Sequence, residues 1–305
     1  MLLAFVLAAA ASPPAWALPL PHLPMPHLPH RRKPVKPPPP LVLKASDFRT
    51  VDPDDLLVID TSKGRVLVEL TPEAAPAAVE RVRTLAHEHF YDGQTFFRVV
   101  DEFMDQTGDP TNTGAGGSKL PNLPPEFTFR RTPQTRFVKV TEPAGEETGF
   151  VGALPVTSQP SALMSMTADG RVTAWPVFCP GVAAMARADA PDSANSQFFL
   201  MRQSNPSLEK RYTGWGRVVS GLDAVRDIKV GEPVEQPQDA MKTVRLAADL
   251  PEAERPKVQV VDPASPGGQA LIARARADKG ADFSICDVDL TAKVNAQAMP
   301  TVSRP

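Results

Sequence analysis

Short runs of alternating hydrophobic and polar residues fill the middle of the chain, and this period of two is typical of β-strands. Residues 56–61 form a first apolar run, Gly64 supplies a turn, and residues 66–70 resume the alternation. Further short strands are predicted at residues 96–100, 103–106, 197–201, 215–219 and 244–247.

Two segments have the period of a helix instead. The first covers residues 71–89 and carries Val79, Val82 and Leu85 on one apolar stripe. The second is shorter and covers residues 221–228. Many short strands with two helices predict a mainly β fold, a closed antiparallel barrel capped by the two helices.

A hairpin is predicted later in the chain. The pair Asp169-Gly170 lies between two alternating runs, which is a strong hairpin signal. We therefore expect a two-stranded ribbon over residues 163–178. Its second strand should end at the Trp175-Pro176 step, because proline cannot donate a hydrogen bond to a strand ladder.

The first residues have the pattern of an export signal. Residues 2–11 form an apolar run that is too short to span a bilayer, and residues 15–17, Ala-Trp-Ala, resemble a signal-peptidase site. No Lys or Arg precedes the run. The pattern predicts a signal peptide over residues 1–17, cleaved after Ala17, and a periplasmic or secreted protein.

A proline-rich linker is predicted at residues 18–45, where ten prolines fall within residues 19–40. Such a stretch adopts extended polyproline II rather than helix or sheet. Two interpretations are open, a recognition tract for an SH3-like partner and a spacer. We favour the spacer, since this composition is mostly that of linkers.

Composition narrows the class of function. The 33 Lys and Arg residues against 35 Asp and Glu give a net charge of -2, so no nucleic-acid partner is expected. Three of the five histidines lie in the proline-rich stretch, while His87 and His89 point to different faces of the predicted helix. We therefore expect no metal and no His-dependent triad.

The Gly-rich residues 114–119 lack the spacing of a phosphate loop and are predicted to be a plain surface loop.

The composition changes again near residue 249, where a C-terminal extension over residues 249–305 is predicted to pack on the body or to stay mobile. Within it, residues 269–279 are expected to be helical and residues 283–288 to form a short strand.

The two cysteines, Cys179 and Cys286, are either free thiols or a disulfide pair. Structural thiols are the default, and a disulfide is possible in an exported protein.

One of the strand-like runs is interrupted by an arginine. Arg98 lies among aromatic and aliphatic residues at positions 96–100. A half-buried strand is not expected to carry an unpaired guanidinium. Either Arg98 pairs with a carboxylate for structural reasons, or it acts on a substrate.

Eight motifs follow one another around and after this arginine. They are Phe90-Tyr91-Asp92-Gly93, Phe97-Arg98-Val99-Val100, Phe103-Met104-Asp105-Gln106-Thr107-Gly108-Asp109, Gly116-Gly117, Glu126-Phe127, Met185-Ala186, Asn195-Ser196-Gln197-Phe198-Phe199 and Trp215-Gly216-Arg217-Val218-Val219. Their order and most spacings resemble the cyclophilin-type peptidyl-prolyl isomerases over about residues 54–248. No single motif is specific, but the combination is.

The resemblance implies an eight-stranded closed barrel with a helix at each end and a groove that binds proline-containing segments of client proteins. It implies catalytic roles for Arg98, Gln106 and Phe103, without a cofactor. The substrate-binding residues that it implies are Met104, Ala186, Arg187, Gln197, Phe199, Leu208 and Tyr212. A monomer is the expected state.

The chain also departs from the family pattern. Phe97 replaces the usual His before the catalytic arginine, Thr107 replaces a Gly, Tyr212 replaces a groove His, and Arg187 replaces an Asn that the family uses mostly through its main chain. An insertion of some forty residues is expected within about residues 128–181.

A further departure concerns inhibitor binding. Many family members bind cyclosporin through a groove tryptophan, and the corresponding position here is Ser207. The resemblance therefore implies weak cyclosporin binding.

Two functions from different classes remain in competition. The first is an active isomerase that accelerates Xaa-Pro rotation in exported proteins during folding. The second is a proline-binding module or chaperone of the cell envelope without activity, and a structural part of an envelope assembly is a weaker third reading. Retention of Arg98, Phe103 and Gln106 favours the enzyme, because a pure binder has no need of transition-state stabilisation.

Overall fold

The computed structural model describes residues 40–290, 292–295 and 297–298. The predicted signal peptide and most of the proline-rich linker lie outside the described residues. The described residues from Leu41 onward belong to one structural unit.

Within the described residues the structure has seventeen strands and three α-helices. The strands are β1 (Phe48–Thr50), β2 (Leu56–Thr61), β3 (Gly64–Leu70), β4 (Arg98–Val100), β5 (Met104–Thr107), β6 (Phe129–Arg131), β7 (Phe137–Thr141), β8 (Glu147–Val151), β9 (Leu154–Ser158), β10 (Val172–Pro176), β11 (Val182–Met185), β12 (Phe198–Met201), β13 (Gly214–Ser220), β14 (Met241–Leu246), β15 (Val258–Val261), β16 (Ala292–Val294) and β17 (Gln297–Ala298). The α-helices are α1 (Pro76–His87), α2 (Leu222–Arg226) and α3 (Pro266–Lys279). Short 3-10 helices cover Ala45–Asp47, Pro53–Asp55, Pro143–Gly145, Ser161–Met166, Pro206–Leu208, Ala247–Asp249, Gly280–Asp282 and Ile285–Asp287.

The main sheet contains eight antiparallel strands in the order β14-β2-β3-β13-β11-β12-β5-β4. The predicted mainly β fold is confirmed, but a closed barrel is not, because the sheet is open between β4 and β14. Two isolated bridges, Thr95 to Ala240 and Val99 to Gly231, connect the segments near these two edges.

Both faces of the main sheet are buried, which explains why the first four residues of β2, Leu56 to Ile59, are all apolar. Leu57 and Ile59 pack with one face of α1 in one hydrophobic cluster. Leu56 and Val58 face the other way and pack in a second cluster with residues of the insertion and the extension, among them Phe150 and Val260.

The first helix begins later than the sequence predicts. It starts at Pro76, where proline suits the first turn because no intrahelical bond needs its missing N–H. The carboxylate of Glu126 accepts hydrogen bonds at 2.9 Å from the N–H groups of Ala77 and Ala78, and so caps the first turn.

The insertion folds as a five-stranded antiparallel sheet in the order β6-β10-β9-β8-β7. The predicted ribbon over residues 163–178 is wrong, since Ser161–Met166 is a 3-10 helix. Strand β10 pairs on its two sides with β6 and β9, so no ladder is left for the segment before Asp169. The expectation that this strand ends at Pro176 is confirmed.

The described part of the C-terminal extension packs on the body. Strand β15 pairs with β1 on one side and with β16 on the other. Because β1 precedes residue 54, ordered structure begins earlier than the sequence pattern indicates. The predicted helix is confirmed as α3, but the predicted strand at residues 283–288 is wrong. Instead, the carboxylate of Asp287 accepts from the N–H of Ser284, and the hydroxyl of Ser284 accepts from the N–H of Cys286. These two hydrogen bonds close a 3-10 turn.

Cys179 and Cys286 form a disulfide across a sequence separation of 107 residues, so the default expectation of free thiols is wrong. The bond joins the segment before β11 to the extension.

Among the described residues, no helix is both long and apolar enough to cross a membrane.

Candidate active site

Strand register places the central candidate residues in one row. Arg98 on β4 lies opposite Gln106 on β5, and Gln106 lies opposite Phe199 on β12. Directly opposed residues share one face of an antiparallel sheet. The sheet therefore presents a cation, an amide and an aromatic ring side by side.

A directed chain of hydrogen bonds orients the polar residues of this row. Gln197 donates through Nε2 to the carbonyls of Gly114 and Gly116 at 2.9 and 2.7 Å, and its Oε1 accepts from Gln106 Nε2 at 2.9 Å. Gln106 Oε1 then accepts from Arg98 Nη1 at 3.2 Å. Carbonyls only accept and arginine only donates, so both amides have a single orientation that satisfies the chain.

The apolar part of the site forms the floor beside this chain. Phe199 is only 4% exposed and its ring stacks on Phe178 at 6.5 Å, while Tyr212 meets it edge-on at 5.8 Å. Of the sequence-predicted residues, Met104, Ala186, Phe199 and Leu208 belong to one buried cluster, and Phe103 and Tyr212 pack against it.

Arg187, where the family pattern has Asn, is turned toward the aromatic residues. Its guanidinium lies 4.7 Å from the ring centroid of Tyr212 and 5.5 Å from that of Phe127. Its Nε also donates to the carbonyl of Arg211 at 3.0 Å. The side chain therefore covers Tyr212 instead of extending freely into solvent.

A cavity of about 410 Å³ lies beside Gln106. Its walls include Ala186, Arg187 and residues 114–118, so the Gly-rich loop is part of the site and not a plain surface loop. The ring of Phe97 lies under Gly114, where a β-carbon would come within 3.2 Å of it, and the φ of 87° also favours glycine.

Asp109 holds this loop in shape. Its carboxylate accepts from the backbone N–H groups of Thr111, Thr113, Gly114 and Gly116. Burial by itself would raise the pKa of Asp109, but these hydrogen bonds outweigh burial and lower the pKa below its usual value. The carboxylate therefore stays charged and fixes the glycine carbonyls to which Gln197 donates.

Sequence reasoning missed one residue of the site, Glu232. Its Oε1 lies 2.6 Å from both Nε and Nη2 of Arg98. Glu232 is 134 residues away along the chain and in an exposed loop, so no local pattern connects it with the arginine.

Comparisons with known proteins agree with this geometry. The family model for cyclophilin-type peptidyl-prolyl cis-trans isomerases matches residues 56–248. A probable peptidyl-prolyl cis-trans isomerase of Brucella suis is 33% identical over 195 residues, which are 60% of this chain and 76% of that protein. Peptidyl-prolyl cis-trans isomerase B of Bacillus subtilis is 31% identical over 182 residues, 60% of this chain and 90% of that one.

The crystal structure of a cyclophilin from Hirschia baltica is also similar, with a TM-score of 0.75 and 33% identity. The match covers 81% of this chain and 93% of that chain. It extends over more of this chain than the family model does.

The chain therefore belongs to the cyclophilin-type peptidyl-prolyl cis-trans isomerases. It is an enzyme of class EC 5.2.1.8, and the reaction is the cis–trans rotation of a peptidyl-prolyl bond.

Proposed function

We propose that the groove formed by Arg98, Gln106 and the apolar floor binds Xaa-Pro segments of client proteins and carries the isomerisation. The observation that supports this most is the position of Arg98 Nη1, which points to Gln106 beside the buried Phe199. A cationic donor next to an apolar floor suits a proline ring with a polar amide attached.

The reaction requires no bond to be made or broken. Rotation of an amide crosses a barrier of about 18–20 kcal/mol because it breaks the resonance of the C–N bond. In the twisted state the prolyl nitrogen becomes pyramidal and regains a lone pair. A fixed guanidinium bonds to that nitrogen, or polarises the carbonyl oxygen, more strongly than in the planar state, and this difference lowers the barrier.

The other residues have supporting roles in this proposal. Gln106 and Gln197 hold the peptide backbone, while Phe103, Met104, Phe199 and Leu208 hold the proline ring and exclude water. Ala186, Arg187 and Tyr212 border the groove. An acceleration of about 10⁵-fold requires these contributions to lower the barrier by about 7 kcal/mol together.

Exchange spectroscopy on a short Ala-Pro-containing peptide tests the proposal. The cis and trans proline signals should show exchange cross-peaks with the protein present and none on the same time scale without it. Shifts of the Phe103 and Gln106 signals on titration with the peptide would locate the groove. Exchange without shifts at these residues would place the reaction elsewhere.

We also propose that the protein is exported and acts as a monomer on exported clients in the periplasm or outside the cell. The N-terminal apolar run supports export, and so does the Cys179–Cys286 disulfide, because such bonds persist mainly in oxidising compartments. N-terminal sequencing of the mature protein tests this, with Leu18 as the expected first residue. A chain that keeps residues 1–17 and remains in the cytosol would contradict it.

A further inference from the structure

A carboxylate lies directly against the guanidinium of Arg98. Glu232 Oε1 accepts a hydrogen bond from Nε at 2.6 Å and lies 2.6 Å from Nη2 in an ion pair. Nη1 lies on the other side of the group, 3.2 Å from Gln106 Oε1 and 3.9 Å from the sulfur of Met104. One edge of the guanidinium is thus occupied by Glu232, while Nη1 is turned to the groove.

The backbone fixes Glu232 in this position. Val99 and Gly231 exchange both hydrogen bonds of an antiparallel bridge, at 2.8 and 2.9 Å, so the next residues on each side, Arg98 and Glu232, face each other. The N–H of Val234 also donates to the carbonyl of Phe97 at 2.9 Å. The contact therefore follows from register, and it does not depend only on two flexible side chains.

We infer that Glu232 is a positioning residue for the reaction: it holds the guanidinium of Arg98 so that Nη1 faces the peptide. The inference rests on the proposed role of Arg98. The two side chains are 36% and 57% exposed, so the ion pair contributes little to the stability of the fold. Its effect is on orientation, and small misplacements of a catalytic group are costly in rate.

Three variants separate the possible roles. Glu232→Ala removes the acceptor and should lower kcat about 10-fold with less than about a twofold change in KM. Glu232→Gln keeps an acceptor oxygen without the charge, and should keep kcat within about threefold of the wild type. In an Arg98→Lys background, Glu232→Ala should change kcat by less than about twofold, because lysine lacks the paired N–H edge.

Glu235→Ala is the matched control. Glu235 lies on the same loop, is exposed, and its side chain makes no hydrogen bond or ion pair with the described residues. This variant changes the charge equally and should leave kcat unchanged. In ¹H–¹⁵N spectra, the Arg98 Nε signal should move in Glu232→Ala and stay in place in Glu235→Ala.

The results that would overturn the inference are distinct from a failure of the site itself. An unchanged or increased kcat in Glu232→Ala, with activity lost in Arg98→Ala, would reject the positioning role alone. Equal losses in the Gln and Ala variants would show that Glu232 acts through its charge and would also reject it. Full activity in Arg98→Ala would reject the assignment of Arg98 and the inference with it.

Discussion

At the scale of single residues, the site depends on groups whose chemistry is ordinary and whose placement is unusual. Arg98 is a surface-accessible arginine, yet it lies on a strand between buried neighbours and is bonded on two sides, by Glu232 and by Gln106. Gln197 has no charge to contribute, but it connects the central row to the loop held by Asp109. Position therefore distinguishes these residues from others of the same type.

Arg98→Ala should lower kcat/KM by about 10²–10³, the loss typical of removing one transition-state donor. The fold and peptide binding should persist, because the apolar floor does not include Arg98. Exchange spectroscopy gives the rate and circular dichroism the fold. Arg171→Ala, an exposed arginine of the insertion, is the control and should behave as the wild type. Wild-type activity in Arg98→Ala would contradict the mechanism.

Cyclosporin should inhibit this enzyme two to three powers of ten more weakly than family members that have the groove tryptophan. Ser207 loses a hydrogen bond of about 1 kcal/mol and an aromatic contact of about 2–3 kcal/mol. Neither Trp175 nor Trp215 compensates, because both are buried and the indole N–H of Trp175 already donates to Glu209.

Titration of cyclosporin against isomerase activity measures this difference. Ser207→Trp should recover inhibition, while Ser207→Leu, which adds apolar area without the indole donor, should recover less of it. Nanomolar inhibition of the wild type would show that another residue provides the contact.

At the scale of elements, local patterns predicted those that depend on neighbours in sequence. Strand β2 has the predicted bounds, whereas β3 begins at Gly64 itself, two residues before the predicted start at residue 66. The ribbon at residues 163–178 failed because the partners of β10 come from distant strands. The strand predicted at residues 283–288 does not form, because Ser284 and Asp287 hydrogen-bond locally and close a turn around the apolar residues between them.

The same distinction holds for the site. Motif resemblance named the residues of β5 and β12, and the structure brings Arg98, Gln106, Gln197 and Phe199 together. The motif resemblance did not indicate Glu232, because this residue reaches Arg98 only through the folding of a distant loop. The open edge of the main sheet was not predictable either, because strand pairing at an edge is set by tertiary structure.

Strand β5 carries a buried acid that should make stability depend on pH. Asp105 is fully buried, and one of its carboxylate oxygens has no hydrogen-bond partner within the described residues. Burial raises the pKa of Asp105 to about 7, although Arg202 at 3.0 Å opposes the rise. The usual value of this pKa is 3.8, so the folded state holds a proton that the unfolded state releases between about pH 4 and 7.

The free energy of unfolding should therefore fall as pH rises through this window, by up to about 1.4 kcal/mol per pH unit from Asp105. Urea unfolding at pH 5, 6 and 7 measures the slope. Asp105→Asn keeps the shape and removes the titration, so its slope should be flatter. A wild-type slope that matches the variant's, or that has the opposite sign, would contradict the raised pKa.

At the scale of the whole molecule, the insertion and the extension cover a face of the main sheet. Leu56 and Val58 of the isomerase domain share a hydrophobic cluster with Phe150 of the insertion and Val260 of the extension. The additions to the family domain are therefore part of its core and not separate appendages. The disulfide joins the extension to the residue next to Phe178, whose ring supports the floor of the groove.

Cys286→Ala should lower the free energy of unfolding by about 2–5 kcal/mol, because the bond closes a long loop in the unfolded chain. Activity at 25 °C should stay within about threefold of the wild type, since Arg98, Gln106 and Phe199 are held by strands β4, β5 and β12 of the main sheet. Denaturant unfolding with and without dithiothreitol measures the effect. The reductant should destabilise the wild type and leave the variant unchanged, and equal sensitivity of both would argue against the bond.

The pairing of β1 with β15 has a consequence for synthesis. These strands are about two hundred residues apart in sequence, and β15 is the strand with which β1 forms its ladder. At about 5–20 residues per second, β1 leaves the ribosome about 10–40 s before β15 does. During that interval β1 has no ladder partner, so the first strand of the folded unit cannot pair until the extension has been translated past Val261.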